Sequence, residues 1–296
     1  MSLAAFISYL TYEKNYSPNT VKAYDKDIKG FTNFCIKEYD VKEIEKADYN
    51  LIRGWVVQMV TEGLSNRSVN RKVASLKAYY KFLLKIENIQ VNPLAKHKAL
   101  KTPTKIEVPF SEKEMELLLQ KVHFEDGFEG DRDRLIIELL YATGIRRAEL
   151  INLRLGDIEL SQKTMKVLGK RNKERIVPLL DTTIYLFEIY LAERMKLKSV
   201  KDSDFVFLTK SGVKIYETLV YRIINGYFSK VSSKVKKSPH ILRHTFATHL
   251  LNKGADLNSV KELLGHASLA STQVYTHNSI AELKKVHASA HPRSKK

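Results

Sequence analysis

Residues 240–257 read HILRHTFATHLLNKGADL, and the rest of the chain is best read outward from them. Two imidazoles and a guanidinium, His240, Arg243 and His244, stand directly before an apolar helical run at Thr245–Asn252, with a second helix expected at Leu257–Leu264. Upstream, the spacing predicts helices over Asp133–Ala142, which ends at Thr143-Gly144, over Thr182–Arg194 and over Thr218–Val231; downstream it predicts one at Ile280–Val286. A capped helix opens at Ser111 and Glu112. A short β region interrupts this run of helices. Thr164–Leu168 and Arg175–Leu179 flank Gly169-Lys170-Arg171-Asn172-Lys173, a hairpin signal, and Phe205–Thr209 reads as one more short strand. This half, 106–296, is therefore expected to be mixed α/β, mostly helical with a small antiparallel sheet.

The first hundred residues carry only helical periodicity. Leu3 to Tyr12 is apolar at helical spacing. Ser17-Pro18-Asn19-Thr20 reads as a cap before a long helix with Val21, Tyr24, Ile28, Phe31 and Phe34 on one face. A third helix covers Tyr49–Thr61 and turns Leu51, Ile52, Trp55, Val56 and Met59 inward. A fourth opens at Asn66 or Ser68 with Val69, Val73, Leu76, Tyr79, Tyr80 and Leu83 inward. Arg67, Arg71, Lys72, Lys77, Lys81 and Lys85 punctuate that helix, a pattern that suits a phosphate backbone and a solvated face equally. Val91-Asn92-Pro93 closes the unit, and the polar, basic stretch around Pro103 reads as an extended linker. The expected organisation is a helical bundle at 1–95, a linker at 96–105 and a second domain at 106–296, a mainly α protein as a whole.

The chain has 296 residues, 50 Lys and Arg against 33 Asp and Glu, and a formal net charge of +17. The charge is uneven: residues 1–50 are near neutral, 51–100 strongly basic, 101–150 slightly acidic and 151–296 basic again. Basic regions of this kind favour a polyanion, most simply nucleic acid. The composition excludes a disordered or fibrous chain. No apolar run reaches the ~20 residues that span a bilayer. The N-terminal stretch lacks the basic and apolar segments of a signal peptide, and the one cysteine, Cys35, fits a reducing cytoplasm, so no membrane partner is expected.

Five features carry chemistry. They are the arginines of Gly144-Ile145-Arg146-Arg147-Ala148-Glu149, Lys170 at the hairpin tip, the HILRH segment, Gly265-His266, and Tyr275-Thr276-His277. The planar guanidinium fork matches non-bridging phosphate oxygens. A lysine can protonate a leaving oxygen, histidines move protons or donate to phosphate, and a phenol can attack phosphorus to leave a covalent intermediate. Together these groups describe phosphoryl transfer run by fixed charge and an attached nucleophile. Singly each is weak: with 15 tyrosines, any one is structural by default. A single Cys and the lack of an H-E-x-x-H pattern argue against zinc, and no metal or other cofactor is expected.

At these residues the sequence resembles the tyrosine recombinases, within them the Xer type, over nearly its whole length. The signatures are ATGIRRAEL at 142–150, GKRNKER at 169–175, HILRHTFATHLLNKGADL at 240–257, LLGHAS at 263–268 and STQVYTH at 271–277. The resemblance implies a SAM-like, core-binding N-terminal bundle and a C-terminal catalytic domain that together encircle DNA. It implies Tyr275 as the nucleophile, Arg146 and Arg243 on the scissile phosphate, Lys170 as general acid, His240 assisting proton transfer, His266 hydrogen-bonding the phosphate and Glu149 in support. Arg147 falls on a variable position. Arg171 departs from the commoner glycine and would be strained if that turn requires a positive φ. His244, His249 and His277 are read as packing residues. Arg67, Arg71, Lys72, Lys77, Lys173 and Arg175 are expected to contact the DNA backbone.

The implied reaction is conservative site-specific recombination through a 3′-phosphotyrosyl link and a Holliday junction, with type IB topoisomerase-like chemistry. The implied substrate is double-stranded DNA with two half-sites. The implied assembly is a homo- or hetero-tetramer with a second Xer recombinase and a FtsK-type translocase as partners, and the implied setting is chromosome-dimer resolution at a dif-like site, in chromosome partition at cell division. A mobile-element integrase of the same chemistry and a non-catalytic architectural DNA-binding protein are the alternatives. The segment Ala281–His291, with Leu283 and Val286, is expected to pack into a neighbouring protomer.

Overall fold

The computed structural model describes residues 2–103, 107–169, 173–234, 236–265 and 277–295, and the chain divides into two compact units, Met1–Lys105 and Ile106–Lys296. In the first, helices α1 (Ser2–Ser8), α2 (Pro18–Tyr39), α3 (Tyr49–Thr61) and α4 (Asn66–Lys85) pack around one core. Local chemistry fixes their ends. Ser17, Asp48 and Ser65 each accept a backbone N–H from the first turn of α2, α3 and α4, and Pro18 supplies the fixed φ at the start of α2. α1 passes into a π-helical turn at Tyr9–Glu13, so the first predicted helix is regular only over its first half.

Phe6, Ile28, Phe31, Ile52, Val69, Leu76, Tyr79, Tyr80 and Leu83 are fully buried, as the helical spacing requires. One charged group is buried with them. Asp27 accepts from Arg71 at 2.6 and 2.9 Å, from Lys72 at 3.1 Å and from Ser75 at 2.8 Å. After α4 the chain runs without regular structure, yet it is held. Asn70 exchanges two bonds with the Leu100 backbone, at 2.8 and 2.9 Å, and Asn66 donates to the Lys101 carbonyl at 2.8 Å.

The second unit begins with a capping box at Ser111 and Glu114, which starts α5 (Glu112–Glu116). Its centre is α6 (Phe128–Thr143), buried on every side from Leu135 to Thr143 because it lies against both α8 (Asp181–Met195) and α10 (Pro239–Asn252). Between α6 and α8 come the short α7 (Arg147–Ile151) and a three-stranded antiparallel sheet, β1 (Ile158–Glu159), β2 (Thr164–Leu168) and β3 (Glu174–Pro178), in that order. α9 (Glu217–Ser229), α11 (Leu257–Leu264) and α12 (His277–Ala290) complete the described elements.

Four expectations change here. α6 starts at Phe128, five residues before Asp133, and α10 starts at Pro239 rather than Thr245, so His240 and Arg243 sit on the helix and not ahead of it. Phe205–Thr209 forms isolated bridges, Arg154 with Phe205 and Leu208 with Lys214, and no strand. α12 runs from His277 to Ala290, beyond the expected Ile280–Val286, with Leu283, His287, Ala290 and His291 buried.

Candidate active site

The site is assembled from the two ends of α6 and α11 and from the first turn of α10. α6 ends at Gly144 with φ +61°, and a Cβ there would lie 2.4 Å from the buried Phe246 ring. Only glycine lets the chain turn this tightly. The turn delivers Arg146 to the start of α7, where its backbone N–H donates to Glu149 Oε2 at 2.8 Å and its Nη1 to Oε1 at 2.8 Å.

The C terminus of α11 organises three arginines. Arg175 Nε donates to the Leu263 carbonyl at 3.1 Å, Arg243 Nη2 to Leu264 at 2.7 Å and Arg146 Nη2 to Gly265 at 3.4 Å. Helix C termini leave carbonyls without partners and carry partial negative charge, so cations gather there. Arg243 Nη1 also donates to the Gly144 carbonyl at 2.6 Å, which ties the end of α6 to the end of α11. Arg175 completes the group with bonds to both Glu149 oxygens, at 3.0 and 2.8 Å.

These groups sense one another. Burial, and then the charge of Arg146, bring the Arg243 pKa down to about 10, which leaves it charged at neutral pH. Burial alone would raise the Glu149 carboxyl. The hydrogen bonds and charge of Arg175, with those of Arg146, outweigh that and hold it below the ordinary range. Glu149 is therefore ionised, and the four side chains carry more positive than negative charge.

Beside them opens a cavity of about 430 Å³ lined by Arg146, Arg147, Ala148, Tyr221, Ser238, Pro239, His240 and Arg243. His240 is exposed at the head of α10, its Nε2 3.5 Å from Glu107, and Glu107 also pairs with Lys236. The Lys236 hydrogen bond holds the Glu107 carboxyl below its usual range. A pocket floored by guanidiniums and walled by a helix N terminus suits a tetrahedral anion. Among the described residues no His, Cys, Asp and Glu group could hold a metal ion.

Of the site residues expected from the sequence, Arg146, Glu149, His240 and Arg243 are brought together. Lys170, His266 and Tyr275 lie outside the described residues, as do Arg171 and Asn172. Gly169 and Lys173, which bracket the hairpin tip, are joined by a 2.8 Å backbone bond. His249 is a packing residue, buried, with Nδ1 2.9 Å from the Tyr141 hydroxyl, whereas His244 is exposed. Arg67, Lys77 and Lys173 are exposed. Arg71 and Lys72 are bonded to Asp27, Arg71 while still half exposed. Arg175 overturns its expected role: at 4% exposure it cannot contact a DNA backbone. The strand alternation held the signal, since Arg175 shares the inward face of β3 with the buried Val177 and pairs with the buried Val167. Sequence reasoning also missed Glu107 and Tyr221, whose neighbours around the site come from distant parts of the chain.

Comparison with known proteins shows the family. Residues 110–282 match the phage integrase family, and residues 3–86 match the phage integrase N-terminal SAM-like domain. Tyrosine recombinase XerC of Staphylococcus epidermidis is 40% identical over 98% of this chain and 97% of its own length. Tyrosine recombinase XerC of Oceanobacillus iheyensis is 40% identical over 98% of this chain and 95% of its own. The crystal structure of the XerH site-specific recombinase bound to a palindromic difH substrate superposes with a TM-score of 0.72 at 22% identity, over 99% of this chain and 82% of that one, which shows a shared fold. The chain belongs to the phage integrase family, the tyrosine recombinases, and is thereby a site-specific DNA recombinase.

Proposed function

We propose that this chain is a Xer-type recombinase that cuts and rejoins DNA at a short site of two half-sites, resolving chromosome dimers at a dif-like sequence in the cytoplasm. The observation that carries the reading is the joint presentation of Arg146 and Arg243 to one cavity, with His240 at its rim. Two guanidiniums can hold the non-bridging oxygens of a scissile phosphate and stabilise the charge that builds on them in the transition state.

The Tyr275 phenol, its proton taken with the help of His240, attacks phosphorus. The bond to the 5′-oxygen breaks, Lys170 protonates that oxygen, and a 3′-phosphotyrosyl link remains while His266 hydrogen-bonds the phosphate. Attack by a 5′-hydroxyl from the partner duplex reverses the step and frees the tyrosine, giving a Holliday junction that a second pair of protomers resolves. Bond energy is kept in the covalent link, so the scheme calls on no nucleotide or metal. Arg67, Lys77 and Lys173 contribute backbone contacts.

The Xer names of relatives that match over nearly their whole length support the chromosomal role, and the difH substrate of XerH supports a dif-like site. A tetramer on DNA, with a second Xer recombinase and a FtsK-type translocase as partners, follows from the same reading. The test is a nicked suicide duplex carrying a dif-like site, incubated with the protein and run on a denaturing gel. A covalent adduct is expected for the wild type and none for Tyr275→Phe, which still binds. Specific binding without an adduct, with or without a partner recombinase, would favour the architectural alternative.

A further inference from the structure

Arg175 stands apart from the other two arginines. It is buried, contributes nothing to the cavity wall, and spends its guanidinium on protein: Glu149 Oε1 and Oε2 at 3.0 and 2.8 Å and the Leu263 carbonyl at 3.1 Å. The surroundings are shaped for it. A Cβ on Gly265 would come within 3.0–3.2 Å of Arg175 Cδ, Nε and Nη1, so the bare backbone at the end of α11 makes room for the side chain. One residue thus joins β3, the start of α7 and the end of α11.

The charge balance of the cavity depends on this bridge. Glu149 is shared: Arg146 reaches it through one guanidinium nitrogen and its backbone N–H, Arg175 through two guanidinium nitrogens. The carboxylate is therefore largely neutralised from the buried side. Arg146 is 37% exposed and lines the cavity. Without Arg175, Glu149 would be a buried carboxylate with Arg146 as its near partner, and the attraction would draw that guanidinium fully onto it. A phosphodiester carries one negative charge and its pentacoordinate transition state two. Three arginines and one glutamate leave a surplus of two positive charges, and losing Arg175 halves it.

We propose that Arg175 is a positioning residue for strand cleavage: by holding Glu149 from behind, it frees Arg146 for the scissile phosphate, and by holding the Leu263 carbonyl it sets the end of α11 against the same site. The inference rests on Arg146 and Arg243 being the phosphate clamp.

The test is single-turnover cleavage of the nicked suicide duplex at saturating protein, with Kd measured in parallel, for wild type, Arg175→Met, Arg175→Lys, Glu149→Gln and the Arg175→Met/Glu149→Gln double variant. Arg175→Met should slow cleavage about 100-fold with Kd nearly unchanged, and Arg175→Lys should fall in between. The double variant should cleave about tenfold faster than Arg175→Met alone, because a neutral amide no longer captures Arg146. Acidification should likewise speed Arg175→Met relative to wild type, because protonation of Glu149 releases Arg146. Losses that multiply in the double variant, with no acid recovery, would reduce Arg175 to a packing role and overturn the proposal. Should Arg175→Met not fold, the same comparison is made with Arg175→Lys and Arg175→Lys/Glu149→Gln. Wild-type rates in every Arg175 variant would also overturn it. A wild type that forms no Tyr275 adduct would instead remove the reading beneath it, so the two failures are distinguishable.

Discussion

Acid should loosen the second unit at its C-terminal helix, and the size of the effect follows from two buried imidazoles. His287 is 1% exposed, with Nε2 2.6 Å from the Ala142 carbonyl. A carbonyl only accepts, so Nε2 carries the proton and Nδ1 is bare. His291 is fixed the same way: Nε2 faces the Tyr141 carbonyl at 3.3 Å, and Nδ1 accepts the Arg293 N–H at 3.1 Å. Burial, against the pull of the Ala142 bond, brings the His287 pKa down to about 4, and burial with the neighbouring His287 pushes His291 well down too.

Above the unfolded value of about 6.5 neither state binds the proton and the buried contribution is intact. Below it the unfolded imidazole is protonated while the folded one resists, so stability falls with pH until the folded value near 4 is passed. At pH 5 the His287 difference alone costs about 2 kcal/mol, approaching about 3 kcal/mol below pH 4, and His291 adds in the same direction. Urea unfolding followed by far-UV circular dichroism from pH 8 to pH 5 measures it. Fluorescence of Trp55, which lies in the first unit, serves as an internal reference. His287→Gln keeps an N–H for Ala142 and cannot titrate. Between pH 8 and pH 5 the wild type should lose about 2 kcal/mol more than this variant. Equal pH dependence of the two would refute the reasoning.

Two more expectations concern the cavity itself. Arg243→Ala removes a cavity cation and the bridge between the Gly144 and Leu264 carbonyls, and it should cut single-turnover cleavage about 1,000-fold while DNA binding falls only a few-fold; comparable losses in both would make Arg243 a binding residue only. Gly144→Ala forces a Cβ into Phe246 at a positive φ and should cost about 3 kcal/mol in urea unfolding, with an unperturbed melt arguing against the tight turn described here.

Much of the fold was legible because its signals are local. Tyr49–Thr61 and Leu257–Leu264 were bounded correctly from sequence, since Asp48 caps the first and a left-handed Gly265 ends the second. The mainly helical class with one small antiparallel sheet followed from the same periodicities. Where the signals were not local, the reading slipped. The charged first turn of α6 hid its start at Phe128, and Phe205–Thr209 lacked a partner strand long enough to make it one. α12 extends through His287 to Ala290 because those residues are buried against α6 and α10, which no apolar stripe announces.

The sequence by itself determined the helical units and the residue types that phosphoryl transfer needs, because caps, periodicity and motif spacing act within a few residues. Tertiary structure alone decided which cations serve the cavity. Arg71 and Lys72 read as phosphate contacts but are bonded to a buried Asp27, and Arg175 read as a surface cation but lies behind Glu149. A guanidinium looks the same in sequence whether it faces solvent or a carboxylate. Its role is set by charges that lie 26 or 44 residues away along the chain and about 3 Å away in space.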